Sequence, residues 1–208
     1  MLRIDLFTEI SCPWCIVGLH RLDKVLAERF HDLPVDIRHH PVLLLANVPS
    51  EGFFIPDLLR SRYGITDPKA AFARPEAEAR ASGLDLDLGR QLRSYPTQAA
   101  HGLVMAAREQ GTQHALAVAI TDAYFLEAQN IADADVLADL GSRHGFEPEE
   151  ARRIALDPAQ HGRVEEASAR AGAQGVRSVP HIVFDGRINM NGGRSEDELA
   201  HGISAALR

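Results

Sequence analysis

Hydrophobic and polar positions change period several times along the chain, and the changes divide it into elements. Leu2, Ile4 and Leu6 alternate with Arg3 and Asp5, which predicts a strand over residues 2–7. From Cys15 the period becomes helical. Cys15, Leu19, Leu22, Leu26 and Phe30 share one side, with Arg21, Lys24 and Glu28 opposite. Val35-Asp36-Ile37-Arg38 alternates again after Leu33-Pro34 and predicts a second strand. Strand, helix and strand together make a unit of the kind that builds a parallel sheet. Residues 41–56, with Pro41, Pro49, Gly52 and Pro56, read as a long irregular connection.

The next hundred or so residues are rich in Ala, Leu, Glu and Arg and poor in β-branched runs. They predict helices over 56–63, 68–82, 97–110, 113–127, 133–144, 148–155 and 158–171. Pro148 and Pro158 suit first helical positions, Asp157 is an N-cap, and Gly145 can close the helix that Asp133 opens. Leu116, Ala119, Ile120, Ala123 and Tyr124 form one apolar stripe, read as plain helix packing. Gly83 to Leu88 alternates briefly and could be extended.

Strand character returns at the end, where His181-Ile182-Val183-Phe184 and Arg187-Ile188-Asn189-Met190 flank Asp185-Gly186, a two-residue hairpin signal. Ser195 to Glu198 forms a capping box opening a last helix, with Leu199, Ile203 and Leu207 inward. The order β, α, β, helical block, β, β, α predicts an α/β fold whose halves, 1–45 and 161–208, are separated by a helical insertion, 46–160.

Composition adds little to this picture. With 45% hydrophobic residues in 208, the chain can bury a proper core. A formal charge of -7 argues against nucleic acid or an anionic membrane as partner. The longest aliphatic run, Val42 to Ala46, is far short of a membrane span, and the first residues do not read as a signal peptide. A cytoplasmic setting is therefore expected, where a C-x-x-C is more often catalytic than a permanent staple.

The chemistry gathers at Ser11-Cys12-Pro13-Trp14-Cys15, which holds both cysteines of the chain where the first strand gives way to the first helix. The first amides of a helix have no internal partner and carry partial positive charge. With Cys12 as N-cap and Pro13 as first helical residue, the Trp14 and Cys15 amides are free to point at the Cys12 sulfur. Cys12 should therefore have a depressed pKa and attack, with Cys15, one turn inside, as the shielded resolving thiol. Two sulfurs at this spacing can close and reopen a disulfide. Half of a zinc site and inert packing are the competing readings. Zinc wants four ligands, the chain has no second cysteine pair, and His20, His39 and His40 show no finger-like spacing to the first. The strand-to-helix context favours redox chemistry.

With CPWC at that turn, a helical insertion, and Val179-Pro180 before a terminal hairpin and helix, the chain resembles the thioredoxin-fold DsbA family. More narrowly it resembles the FrnE-like branch, which groups with 2-hydroxychromene-2-carboxylate isomerases and kappa-class glutathione transferases. The resemblance implies a thiol-disulfide oxidoreductase acting on protein disulfides or dithiols, with Cys12 attacking, Cys15 resolving and Pro180 in the cis form facing them. Val179 would then pair with a bound peptide in strand fashion, and Pro13, Trp14, Val179 and Pro180 are the substrate-contacting candidates. No metal or other cofactor is implied, and glutathione is the possible thiol partner. The alternative implied by the same relatives is a glutathione-dependent isomerase or transferase on a small aromatic substrate. There a serine commonly stands where this chain has Cys12, which weakens that reading. In the branch's Asn-Thr-x-x-Ala-His stretch, Pro96 replaces the Asn here, and His101 either lines the cleft or caps local packing. His181 stands where a Thr or apolar residue is more usual and is read as a strand histidine with a local partner. Asp5 and Glu9 are candidates for a buried acid assisting proton transfer.

Overall fold

A computed structural model describes the whole chain, Met1–Arg208. Strand β1 (Leu2–Thr8) leads into helix α1 (Pro13–Arg29) and strand β2 (Val35–Pro41). A two-residue strand β3 (Phe53–Phe54) precedes helices α2 (Ile55–Tyr63) and α3 (Pro68–Ala81), and another, β4 (Arg93–Ser94), precedes five more. These are α4 (Gln98–Gln110), α5 (Gln113–Phe125), α6 (Ala134–Ser142), α7 (Pro148–Leu156) and α8 (Pro158–Ala173). The chain closes with β5 (His181–Phe184), β6 (Ile188–Asn191) and α9 (Glu196–Ala206).

The main sheet has the order β2-β1-β5-β6, with β2 parallel and β5 antiparallel to β1. Strands distant in sequence therefore meet at β1, with the helical block between them. Leu2, Ile4 and Leu6 face one side, where Leu19, Leu22 and Val25 of α1 and Leu199 and Ile203 of α9 close a core over them. A second core fills the helical block around Leu103, Leu116, Ile120 and Leu137.

Helix α1 belongs to both. Ile16 and Val17 enter the helical core while Leu19 and Leu22 enter the sheet core. Its first turn, with the cysteines, stands at the seam between the two halves.

Six expectations change in detail. Leu207, expected to face inward with Leu199 and Ile203, is the C-cap of α9 and is exposed, because the helix ends there and the chain runs out past the core. Arg21, on the polar side of the helical pattern, is only 4% exposed, because α3 lies against that side. Its guanidinium donates to Ser82 Oγ at 2.6 Å, Glu78 Oε2 at 2.6 Å and the Arg194 carbonyl at 3.1 Å. Gly83 to Leu88 forms no strand; instead β3 and β4 pair as a short antiparallel ribbon. Residues 41–56 are accordingly not wholly irregular. In the terminal hairpin Asp185 and Gly186 have positive φ, but Phe184 pairs with Ile188, so Arg187 joins the turn and β6 starts one residue later. Arg143, not Gly145, caps α6, and Gly145 follows with φ 93°.

Four helices are capped by their own side chains. Asp67, Asp133 and Asp157 cap α3, α6 and α8 through side-chain oxygens, and Ser195 with Glu198 makes the full capping box of α9. No helix is long and apolar enough to cross a membrane.

Candidate active site

Cys12 is the N-cap of α1, in extended backbone at φ -89° and ψ 121°, and Pro13 opens the helix. The Cys15 N–H donates to the Cys12 carbonyl at 2.9 Å, so one tight turn holds the pair together. Neither sulfur is bonded to the other, and the structure is that of the dithiol. The Cys12 sulfur accepts no hydrogen bond tight enough to count as a side-chain cap. It is nonetheless held below the ordinary thiol range, first by the Cys15 thiol donating to it and then by the Cys15 and Trp14 amides, which outweigh its desolvation. Burial pushes Cys15 well up, and donation to Cys12 adds to the rise. The division into a low-pKa outer thiol and a high-pKa inner one thus follows from the place of each on the helix: Cys12 caps it beside free amides, and Cys15 is buried one turn inside.

Exposure agrees with it: Cys12 is 8% exposed and Cys15 1%. Val179 packs directly on the two cysteines, with Trp14 and Val42 beside it. The Val179–Pro180 peptide bond is cis. Pro180 lies against α1 at Gly18, where an added Cβ would stand 2.9 Å from Pro180 Cγ, so only glycine lets the two approach so closely. The Val179 N–H and C=O make no hydrogen bond within the chain, whereas the Pro180 carbonyl accepts from Gly192 N at 2.8 Å. Trp14 is clamped between Gly193, where a Cβ would lie 2.6 Å from the ring, and the Arg74 guanidinium, 5.3 Å from the ring centroid.

The structure therefore brings together Cys12, Cys15, Pro13, Trp14, Val179 and Pro180. Cys12 and Pro13 also border a largely apolar cavity of about 170 Å3, which Val179 does not line. Its wall comes from Leu44 and Leu45, from Leu58, Leu59 and Tyr63 of the α2 region, and from Tyr124 and Phe125 of α5. Sequence patterns missed this wall. Val42 to Ala46 was visible as an apolar run, but nothing local distinguishes an apolar residue lining a cavity from one filling a core.

Of the two candidate acids, Glu9 lies at the site and Asp5 does not. Asp5 pairs with Arg3 at 2.9 Å and His40 at 2.9 Å across the sheet. Glu9 follows the end of β1, is 2% exposed, and takes the Leu44 amide at 3.1 Å and the His101 imidazole at 3.3 Å. His101 is thus buried behind the cysteines as the partner of Glu9. His181 hydrogen-bonds Asn191 and packs edge-on against Phe7, the local partnership expected of it. No group of three or more His, Cys, Asp or Glu is arranged to hold a metal ion.

Known proteins share this fold. A protein-family model described as a DSBA-like thioredoxin domain matches residues 3–204. A search of curated proteins found no significant match. Among solved structures, a probable DsbA oxidoreductase from Streptomyces coelicolor superposes with a TM-score of 0.87 at 26% identity, covering 100% of this chain and 90% of that one. The cytosolic disulfide reductase DsbM from Pseudomonas aeruginosa, solved with GSH, gives 0.69 at 18% identity over 99% of both chains. A 2-hydroxychromene-2-carboxylate isomerase gives 0.71 at 15% identity over 99% of this chain and 95% of that one. The last two likenesses concern the fold, a thioredoxin-like sheet interrupted by a helical insertion.

Proposed function

Because the chain belongs to the DSBA-like thioredoxin family, we propose that it is a thiol-disulfide oxidoreductase that exchanges disulfides with protein substrates through Cys12 and Cys15. The observation that carries this reading is the Cys12 sulfur at the start of α1, held below the ordinary thiol range. Its thiolate attacks one sulfur of a substrate disulfide and releases the other as a thiolate, leaving a mixed disulfide. Cys15, as thiolate, then attacks the Cys12 sulfur, closing the enzyme disulfide and releasing the second substrate thiol. Two electrons pass from enzyme to substrate, and the reverse sequence oxidises a substrate dithiol.

Two features support a protein chain as substrate. The open N–H and C=O of Val179 offer strand-like pairing beside the cysteines. The apolar cavity next to Cys12 can take a bulky side chain neighbouring the substrate cysteine. The setting proposed with this chemistry is the cytoplasm, with glutathione as a thiol partner.

Alkylation tests the assignment of Cys12. In the reduced protein, its reaction with iodoacetamide should titrate with a midpoint below that of free cysteine, while Cys15 stays unreactive there. A Cys12 midpoint at or above the free value would contradict the reading. The same depression has a stability consequence of fixed sign. Because the folded pKa lies below the ordinary value of 9.0, thiolate stabilisation is present above the unfolded value and lost as pH falls through the folded one. The stability of the reduced protein relative to Cys12→Ser should accordingly rise with pH.

The cavity also suits a second reading, a glutathione-dependent isomerase or transferase acting on a small aromatic molecule bound beside Cys12. Tight, reversible glutathione binding with both cysteines reduced would support it over disulfide exchange.

A further inference from the structure

Resolution of the mixed disulfide requires Cys15 to lose a proton, and Cys15 is almost wholly enclosed. Beneath it lies a second, smaller cavity of about 10 Å3, near the smallest that holds one water. Cys15, Glu9, His101 and His39 all line it. From His39 a continuous path of polar atoms leads outward. His39 Nε2 is 2.9 Å from His114 Nδ1, and His114 Nε2 is 2.7 Å from Asp23 Oδ1. The Asp23 side chain is 41% exposed and the His114 ring 24%, so the path ends in solvent.

Each step uses a different element: β2 supplies His39, α5 His114 and α1 Asp23. The backbone fixes the inner member, since the His39 amide donates to Gln113 Oε1 at 3.2 Å. Tertiary packing alone assembles this line; no two of its members are neighbours in sequence.

We infer that His39, His114 and Asp23 form the route by which the Cys15 proton leaves the buried site. The inference rests on the proposed exchange chemistry. As Cys15 turns to thiolate and attacks the Cys12 sulfur, its proton passes to the Glu9–His101 pair across the small cavity. His39 and His114 carry it from there to Asp23 and water. The departing substrate thiolate takes a proton from solvent, so the resolving step is neutral overall. When a substrate dithiol is oxidised, the same route returns a proton to Cys15. An imidazole serves such a chain because one nitrogen accepts a proton while the other gives one up. His39 is suited to pass a proton without keeping it, because burial and the neighbouring histidines hold it well below the ordinary histidine range.

The groups around the route leave it free for this use. His40, next to His39 in β2, turns to the other side of the sheet and pairs with Asp5. Outside His114, Arg108 is held by Asp36 at 2.7 Å. No residue of α8, which also packs on β2, lines the cavity.

Rapid quench with glutathione disulfide separates the two half-reactions. Formation of the Cys12–glutathione mixed disulfide is followed in a Cys15→Ser background, and its resolution in proteins that keep both cysteines. His114→Ala and His114→Gln should leave formation unchanged and slow resolution about tenfold or more, the low side of what positioned proton transfer contributes. Asp23→Asn, a change at a half-exposed carboxylate, should slow it in the same direction without affecting folding. Added imidazole should restore resolution in His114→Ala, where the missing ring leaves an opening, and should do nothing in wild type. Resolution rates within about twofold of wild type in all three variants across pH 5–9, on the scale of that predicted loss, would overturn the relay while leaving the exchange reading intact. Failure of wild type and Cys15→Ser alike to form a mixed disulfide would overturn both.

Discussion

Replacing Cys12 by serine is expected to reduce disulfide exchange to the uncatalysed background, whereas Cys15→Ser stops the cycle halfway. The two outcomes differ because Cys12 caps the start of α1 while Cys15 is buried one turn inside it. Cys12 is held below the ordinary thiol range by the neighbouring Cys15 thiol and by the Cys15 and Trp14 amides, so it alone is poised as thiolate. A serine hydroxyl at the same cap ionises far less readily and cannot enter a disulfide. Cys15 is buried and its pKa is raised, so it contributes nothing to the first attack. Its loss leaves the mixed disulfide with no internal nucleophile. Intact-mass analysis after mixing with a peptide disulfide checks both: an adduct of one substrate half per protein for Cys15→Ser, and none for Cys12→Ser. Sustained turnover by Cys12→Ser would remove Cys12 from the mechanism.

The second large effect concerns stability. Arg21→Ala should cost about 3 kcal/mol, the low end for breaking a buried ion pair, since the side chain of its partner Glu78 is 42% exposed. The loss goes beyond the pair. Arg21 also binds Ser82 Oγ and the Glu78 carbonyl, at the end of α3, and the Arg194 carbonyl, in the turn before α9. Removing it leaves those acceptors without their buried donor. At about 2–4 °C per kcal/mol for a chain of this size, Tm should fall by about 6–12 °C. Arg21→Lys should recover only part of this, because one ammonium cannot reach three separated partners. A fall in Tm of less than about 2 °C for Arg21→Ala would show that the network contributes little.

Arg21 also shows where reading the sequence stops. The helical period of α1 was legible, and so were its apolar side, its start at Cys12 and the strands that flank it. That α3 would cover the side carrying Arg21 was not, because no local signal states which neighbour a helix will have. The caps of α6, α8 and α9 were legible because each is set by a side chain within a few residues of its own helix start. The β3–β4 ribbon was not. Two residues per strand carry no period, and the pairing of Phe53 with Ser94 spans the whole of α2 and α3.

The same division holds at the site. Cys12, Cys15, Trp14, Val179 and Pro180 could be picked out because short motifs mark them, and the structure gathers them around α1. Glu9 could be named only as one of two acids. Its assignment over Asp5 came from the bend after β1, which turns Glu9 inward to His101 while Asp5 faces Arg3 and His40. His39 and His114 lie far apart in the chain, and their contact depends on α5 docking against β2. Chemistry built from one turn is written locally, and chemistry built from several elements waits for the fold.

If Cys12 and Cys15 form a working dithiol-disulfide couple, a redox titration in glutathione buffers, read by alkylation mass shifts with Trp14 fluorescence as a parallel signal, will show it. A single reversible two-electron transition between roughly -270 and -120 mV, the span of known exchange catalysts, is the result predicted, and its position within the span gives the preferred direction of electron flow. Absence of a Cys12–Cys15 disulfide across all buffers would rule out dithiol-disulfide exchange by this pair.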